Sequence, residues 1–170
     1  MIALTSSRRL RLAALAVAAI ATGAASAAAQ TAQTIAPRAG WSVTATPHAF
    51  AEAVRKLEEA VKANKMGLVT AASASEGAKA QGIAIPGNRV VGVFRNDFAR
   101  RMLAASLPAG IEAPIRFYVT EGADGKATIS YKTPGAVFAP YLDGAGADLK
   151  KVAEELDPIF AAIAAEAAKP

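Results

Sequence analysis

Hydroxyls and cations concentrate at one place in this sequence. From Ile115 to Thr120, and again from Ala127 to Lys132, apolar and polar residues alternate, and in an extended chain alternation sends successive side chains to opposite faces. One side carries Ile115, Phe117, Val119, Ala127, Ile129 and Tyr131; the other carries Arg116, Tyr118, Thr120, Thr128, Ser130 and Lys132. The two runs flank Glu121-Gly122-Ala123-Asp124-Gly125, a turn composition, so they are expected to pair as a hairpin. Arg116, Tyr118, Ser130 and Lys132 then share one sheet face as two cations, a phenol and a hydroxyl, a set suited to a small anionic ligand or a partner. An ordinary solvated sheet face would show the same pattern, and both readings stay open. Arg100-Arg101 are expected to border this face.

Other reactive residue types are scattered. His48 is the single histidine, placed by the sequence in the first turn of a helix as a surface or half-buried residue, and zinc or haem held by histidine pairs is excluded. The chain has no cysteine, which removes disulfides, thiolate catalysis and cysteine-held metals together. Glu58-Glu59 and Glu154-Glu155 are neighbours on helices, so their side chains diverge by about 100° and cannot flank one bond. Gly82, Gly87, Gly92 and Gly144-Ala145-Gly146 lack the spacing of a phosphate loop, and Ser73, Ser75, Ser106 and Ser130 lack a nucleophile-elbow context. No catalytic residue, metal site or cofactor is assigned.

The elements that must position the polar face follow from periodicity. Trp41 to Thr46 alternates as a first strand, with Trp41, Val43 and Ala45 on one side. Thr46-Pro47 marks a helix start, since threonine caps free amides and proline suits the first helical position; Phe50, Val54, Leu57 and Val61 form its apolar stripe, and Lys65 and Gly67 its stop. A strand over Leu68 to Ala72 leads into a small-residue segment, Ser73 to Gly82. Val90 to Phe94 is apolar throughout, as a central strand buried on both faces is; Asn96 follows as a helix cap, with Phe98, Met102 and Leu103 buried and the helix ending before Pro108. After the hairpin, Leu149, Val152, Leu156, Ile159 or Phe160, and Ile163 repeat at helical spacing. Pro158 is expected to kink or interrupt that helix, because it has no amide to bond back to Glu154. The resulting order is β-α-β-β-α-β-β-α: an α+β two-layer sandwich, a mixed or antiparallel sheet of four or five strands with helices on one face.

The first 29 residues read as a cleavable signal peptide. Arg8, Arg9 and Arg11 precede an apolar run from Leu12 to Ile20 and then small residues, with cleavage expected after Ala29. The run is too short and too alanine-rich for a membrane anchor, so no stable membrane insertion is expected after cleavage, and the protein is expected in the periplasm or outside the cell. Residues 30–40 read as a flexible tether, and 41–170 as one domain. Of the 19 basic residues three lie in the leader, which holds none of the 14 acidic ones, so the mature charge is 16 − 14 = +2. That balance does not suggest a nucleic-acid partner.

Phe50 with its helix, Gly67, the strand Val90 to Phe94 followed by Asn96, Ala113-Pro114, Asp124-Gly125-Lys126 and Ser130-Tyr131-Lys132-Thr133-Pro134 together resemble the domain-of-unknown-function family numbered 302 over about Ala45 to Ala168. The resemblance implies a small α+β domain and carries no general activity. Where family members often have Asp-His this chain has Ser73-Ala74, where they have proline it has Asp97, and a histidine near Tyr141 is missing. If those residues hold a ligand or metal elsewhere in the family, this chain has lost that site. Two functions fit: an exported, non-catalytic small-ligand-binding or interaction module, with a homodimer through the sheet as one form; and a hydrolase-like or other enzyme acting on an anionic small molecule without metal.

Overall fold

The computed structural model describes residues 31–33 and 35–170; the expected signal peptide, residues 1–29, lies outside them. Five strands, β1 (Trp41–Ala49), β2 (Gly67–Ala72), β3 (Asn88–Phe94), β4 (Ile115–Glu121) and β5 (Lys126–Lys132), form one sheet in the order β1-β5-β4-β3-β2. Every neighbouring pair is antiparallel. The helices are α1 (Phe50–Ala63), α2 (Ala74–Ala80), α3 (Asn96–Ala105), α4 (Pro134–Phe138) and α5 (Ala147–Ala167), with short 3-10 turns at Pro108–Glu112 and Ala139–Tyr141. Helices α1 and α5 pack side by side against one face of the sheet, and α3 and α4 pack on α5. This is the α+β two-layer architecture expected from the sequence, with the sheet wholly antiparallel.

The apolar side of the hairpin supplies the centre of the core. Phe117, Val119 and Ile129 are fully buried and Ala127 and Tyr131 nearly so, facing Leu57, Val61, Leu149, Val152, Phe160 and Ile163 from α1 and α5. Phe117, Tyr131 and Phe160 form an aromatic cluster, in which Phe117 and Phe160 stack with centroids 4.9 Å apart and planes 11° from parallel.

Several elements depart from their expected limits, each for a local reason. Helix α1 begins at Phe50, so Pro47 and His48 belong to β1. The Thr46 hydroxyl, expected to cap the helix, donates instead to the Ala127 carbonyl at 2.9 Å and accepts from the His48 amide at 3.3 Å. A β-bulge between Ala45 and Ala49 accompanies this extension. His48 is buried, not on the surface. The small-residue segment after β2 contains α2, started by the Ser73 hydroxyl accepting from the Glu76 amide at 3.1 Å. Arg95, not Asn96, occupies the cap position of α3, and Leu103 faces solvent at 42 % exposure while Phe98 and Met102 are buried. Thr133 and Pro134 start α4, which periodicity did not reveal in so short a segment. Helix α5 runs through Pro158 without interruption; its packed faces on either side hold it together. Strand β3 lies inside the sheet with Val91 and Val93 in the core, but Val90 and Gly92 point to the uncovered face.

Candidate functional site

The antiparallel register arranges the uncovered face in rows. Trp41 on β1 is opposite Lys132 on β5; Arg116 on β4 is opposite Gly92 on β3, which is opposite Thr70 on β2. Continuing the β4 and β5 ladder one step past Phe117 and Tyr131 places Arg116 opposite Lys132. The next row holds Val43, Ser130, Tyr118, Val90 and Ala72, and a third holds Ala45, Thr128, Thr120 and Asn88. Side chains in one row lie about 4.5–5.5 Å apart at Cβ, close enough to act on one ligand.

The first two rows floor a depression of about 310 Å³, at the lower end of the size range of small-molecule sites. Arg116, Tyr118, Ser130 and Lys132 all line it, together with Trp41, Val90, Glu112 and Val137. The four residues singled out by alternation are therefore neighbours in space. Their roles differ. Arg116 and Lys132 are exposed, Tyr118 is half-buried, and Ser130 is fully buried in the floor, its hydroxyl donating to the Tyr118 carbonyl at 3.3 Å. Ser130 accordingly shapes the floor and presents no free hydroxyl to a ligand.

Arg116 and Lys132 have no ion-pair partner among the described residues, where the nine ion pairs engage other cations. Glu112, on the rim, accepts a 2.8 Å hydrogen bond from the Tyr141 hydroxyl, and that bond holds the phenol proton on, raising the Tyr141 pKa above its usual value. Trp41 forms a side wall. Its ring has the Arg38 guanidinium 4.6 Å and the Lys132 ammonium 5.9 Å from its centroid. Gly92, opposite Arg116, allows a close approach of its neighbours, for a Cβ there would stand 2.1 Å from Thr70 Oγ1 and 2.8 Å from Pro114 Cγ.

At the opposite end of the face, Thr31, Ala32, Gln33 and Ile35 lie against Asn88, Tyr118 and Thr120, bounding a second depression of about 260 Å³. Thr120 in this region is buried. Tyr118 borders both hollows.

Arg100 and Arg101 do not border the site. They belong to α3 on the helical side of the sheet, where Arg101 makes a two-pronged contact with Glu155 of α5 at 2.7 and 2.8 Å. That contact lowers the Glu155 carboxyl pKa and raises that of Arg101. Among the described residues no three His, Cys, Asp or Glu side chains converge as metal ligands, and His48 spends Nε2 on the Lys169 carbonyl. Trp41 and Glu112 were not singled out as site residues by the sequence. Trp41 showed a signal in its alternation with Val43 and Ala45, but only the β1 and β5 pairing reveals that this apolar side shares a face with Lys132.

Comparison with known proteins agrees with this architecture. No curated protein sequence matches the chain. Among solved structures it is similar to the crystal structure of an uncharacterized conserved DUF302 protein from Bacillus stearothermophilus, at 19% identity and a TM-score of 0.67, covering 78% of this chain and 100% of that one. At that identity the likeness shows the fold alone. The family model described as Domain of unknown function DUF302 matches residues 41–163, most of the chain, and on that match the protein belongs to the DUF302 family.

Proposed function

We propose that this protein is an exported, non-catalytic binding domain that holds a small anionic molecule on the uncovered face of its sheet. The observation that carries the reading is the depression in which Arg116 and Lys132, neither in an ion pair among the described residues, stand beside Tyr118 and Trp41. Export rests on the leader composition of residues 1–29. No helix among the described residues is long and apolar enough to cross a membrane.

A homodimer through the same face is the second arrangement considered, since Val43, Val90 and Tyr118 add apolar surface there. A two-fold pairing with its axis near Arg116 and Lys132 would bring the cations of one copy toward those of the other. Thr31, Ala32, Gln33 and Ile35 also occupy one end of the face. Both features favour a small molecule over a second subunit.

Native mass spectrometry of protein recovered from the periplasm tests the reading. The expected result is a monomer beginning at Gln30 that carries one small-molecule adduct, absent from the Arg116→Ala/Lys132→Ala variant. An uncut chain in the cytosol, or an adduct that persists in the variant, contradicts it.

A further inference from the structure

We propose that the depression takes a planar aromatic monocarboxylate, with its carboxylate between Arg116 and Lys132 and its ring against Trp41 and Tyr118. This inference rests on the reading of the uncovered face as an anion site and narrows it to a chemical class.

The charge comes first. Like charges directly opposite across an antiparallel ladder repel, and natural sheets normally pair such positions with an opposite charge or a neutral residue. Here the register sets Arg116 opposite Lys132, and the flanking positions of the row are Trp41 and Gly92, neither of which can neutralise them. One anion lying between the two cations converts the repulsion into two attractions. A planar carboxylate suits this geometry, because a guanidinium binds it through two parallel hydrogen bonds while an ammonium adds a point contact.

The number of charges follows from the rim. Glu112 borders the same hollow, so the lining charge is two cations against one carboxylate. A single negative charge balances that set. A dianion such as a phosphate ester meets Glu112 as an unfavourable neighbour, and no helix among the described residues directs its N-terminal amides into the hollow to compensate.

The body of the ligand is set by the remaining walls. Trp41 stands beside Lys132 in one row, Tyr118 beside Ser130 in the next, and Val90 and Val137 close the sides. Aromatic faces and branched aliphatic walls next to a cation pair fit a flat apolar ring joined to a carboxylate. The volume of about 310 Å³ admits a one- or two-ring acid.

Trp41 is the only tryptophan of the chain and forms the wall of the hollow, so its fluorescence reports occupancy directly. The experiment titrates the purified mature protein at constant ionic strength with benzoate, benzyl alcohol, acetate and inorganic phosphate, and repeats each series on Arg116→Gln and Lys132→Gln. Both side chains are exposed, so the variants keep the fold, and their far-ultraviolet circular dichroism checks this. Benzoate is expected to change Trp41 emission saturably with a Kd on the order of 0.1 mM, as a ligand of its size permits. It should bind at least about tenfold more tightly than acetate or phosphate, with no saturable response to benzyl alcohol, and each variant should weaken it about tenfold or more. Saturable binding of acetate or phosphate equal to that of benzoate overturns the aromatic class while leaving an anion site in place. Absence of a saturable response to all the anions, or a response unchanged in both variants, overturns this inference and the anion site together.

Discussion

His48 Nε2 lies 2.7 Å from the carbonyl oxygen of Lys169, joining the end of the first strand to the end of the chain across 121 positions of sequence. A carbonyl oxygen only accepts, so Nε2 carries the hydrogen and Nδ1 faces Glu52 at 3.7 Å. Lys56 donates to the same carbonyl at 2.8 Å, and Asn64 reaches Glu166 at 3.0 Å, so three contacts fasten the end of α5 and Lys169 just beyond it to β1, α1 and the residue capping α1. The histidine is a fastener. Replacing it with alanine removes a buried hydrogen bond and leaves a void, at a cost of about 1–3 kcal/mol. Glutamine, whose amide nitrogen reaches the same place as Nε2, should recover part of that loss. Urea denaturation with an unchanged slope measures both, and equal losses for alanine and glutamine would remove the hydrogen bond from the explanation.

Gly92 offers a second test through a close approach. Alanine at this position brings a methyl group within 2.1 Å of Thr70 Oγ1 and 2.8 Å of Pro114 Cγ, and either the strand or these side chains must shift. Gly92→Ala is expected to destabilise by about 1–3 kcal/mol. Adding Thr70→Ala relieves the nearer contact alone, so the double variant should be more stable than the sum of the single changes predicts. Simple additivity in thermal unfolding would show that the crowding lies elsewhere.

Pro158 predicts a change of the opposite sign. It is exposed in the interior of α5, where it cannot donate to the carbonyl one turn earlier. Pro158→Ala restores that donor with no loss of buried surface, and the variant should be more stable by about 1–3 kcal/mol. A lower melting temperature would mean that the ring has a packing role in α5.

The Arg101 and Glu155 pair has a pH signature. The guanidinium beside Glu155 holds its carboxyl below the usual range, so stabilisation from the pair is fully present above the unfolded-state value and is lost as pH falls through the folded-state value. Both groups are exposed, and the effect on stability is small. The sharper readout is the carboxyl carbon of Glu155 in an NMR titration: its midpoint should rise in Arg101→Ala. No movement would show that the pair does not persist in solution.

The hairpin was legible because its two strands alternate strictly, and alternation carries which side of a strand is apolar. Arg116, Tyr118 and Lys132 were found in this way. What the alternation of a single strand does not carry is the identity of its neighbour. Trp41, Val43 and Ala45 formed a clear apolar side, yet that side meets Lys132, Ser130 and Thr128 on the uncovered face while Thr46 and His48 turn into the protein. The same gap placed Arg100-Arg101 beside the site, whereas the packing of α3 on α5 carries them to the other layer. Thr46-Pro47 had the composition of a helix start, but a threonine hydroxyl has competing partners, and the Ala127 carbonyl across the sheet takes it. The sequence predicts a kink or an interruption at Pro158 because the proline lacks the amide that would bond back to Glu154; the interruption is absent from α5, where buried contacts before and after Pro158 hold the helix through.

Chemical-shift mapping of the isotope-labelled mature protein with benzoate tests most directly whether the uncovered sheet face is the binding surface. The account predicts that the largest amide shifts fall on Trp41, Arg116, Tyr118 and Lys132, with α3 and the outer face of α5 unmoved. Shifts centred on the helical layer, or none at saturating benzoate, would contradict it.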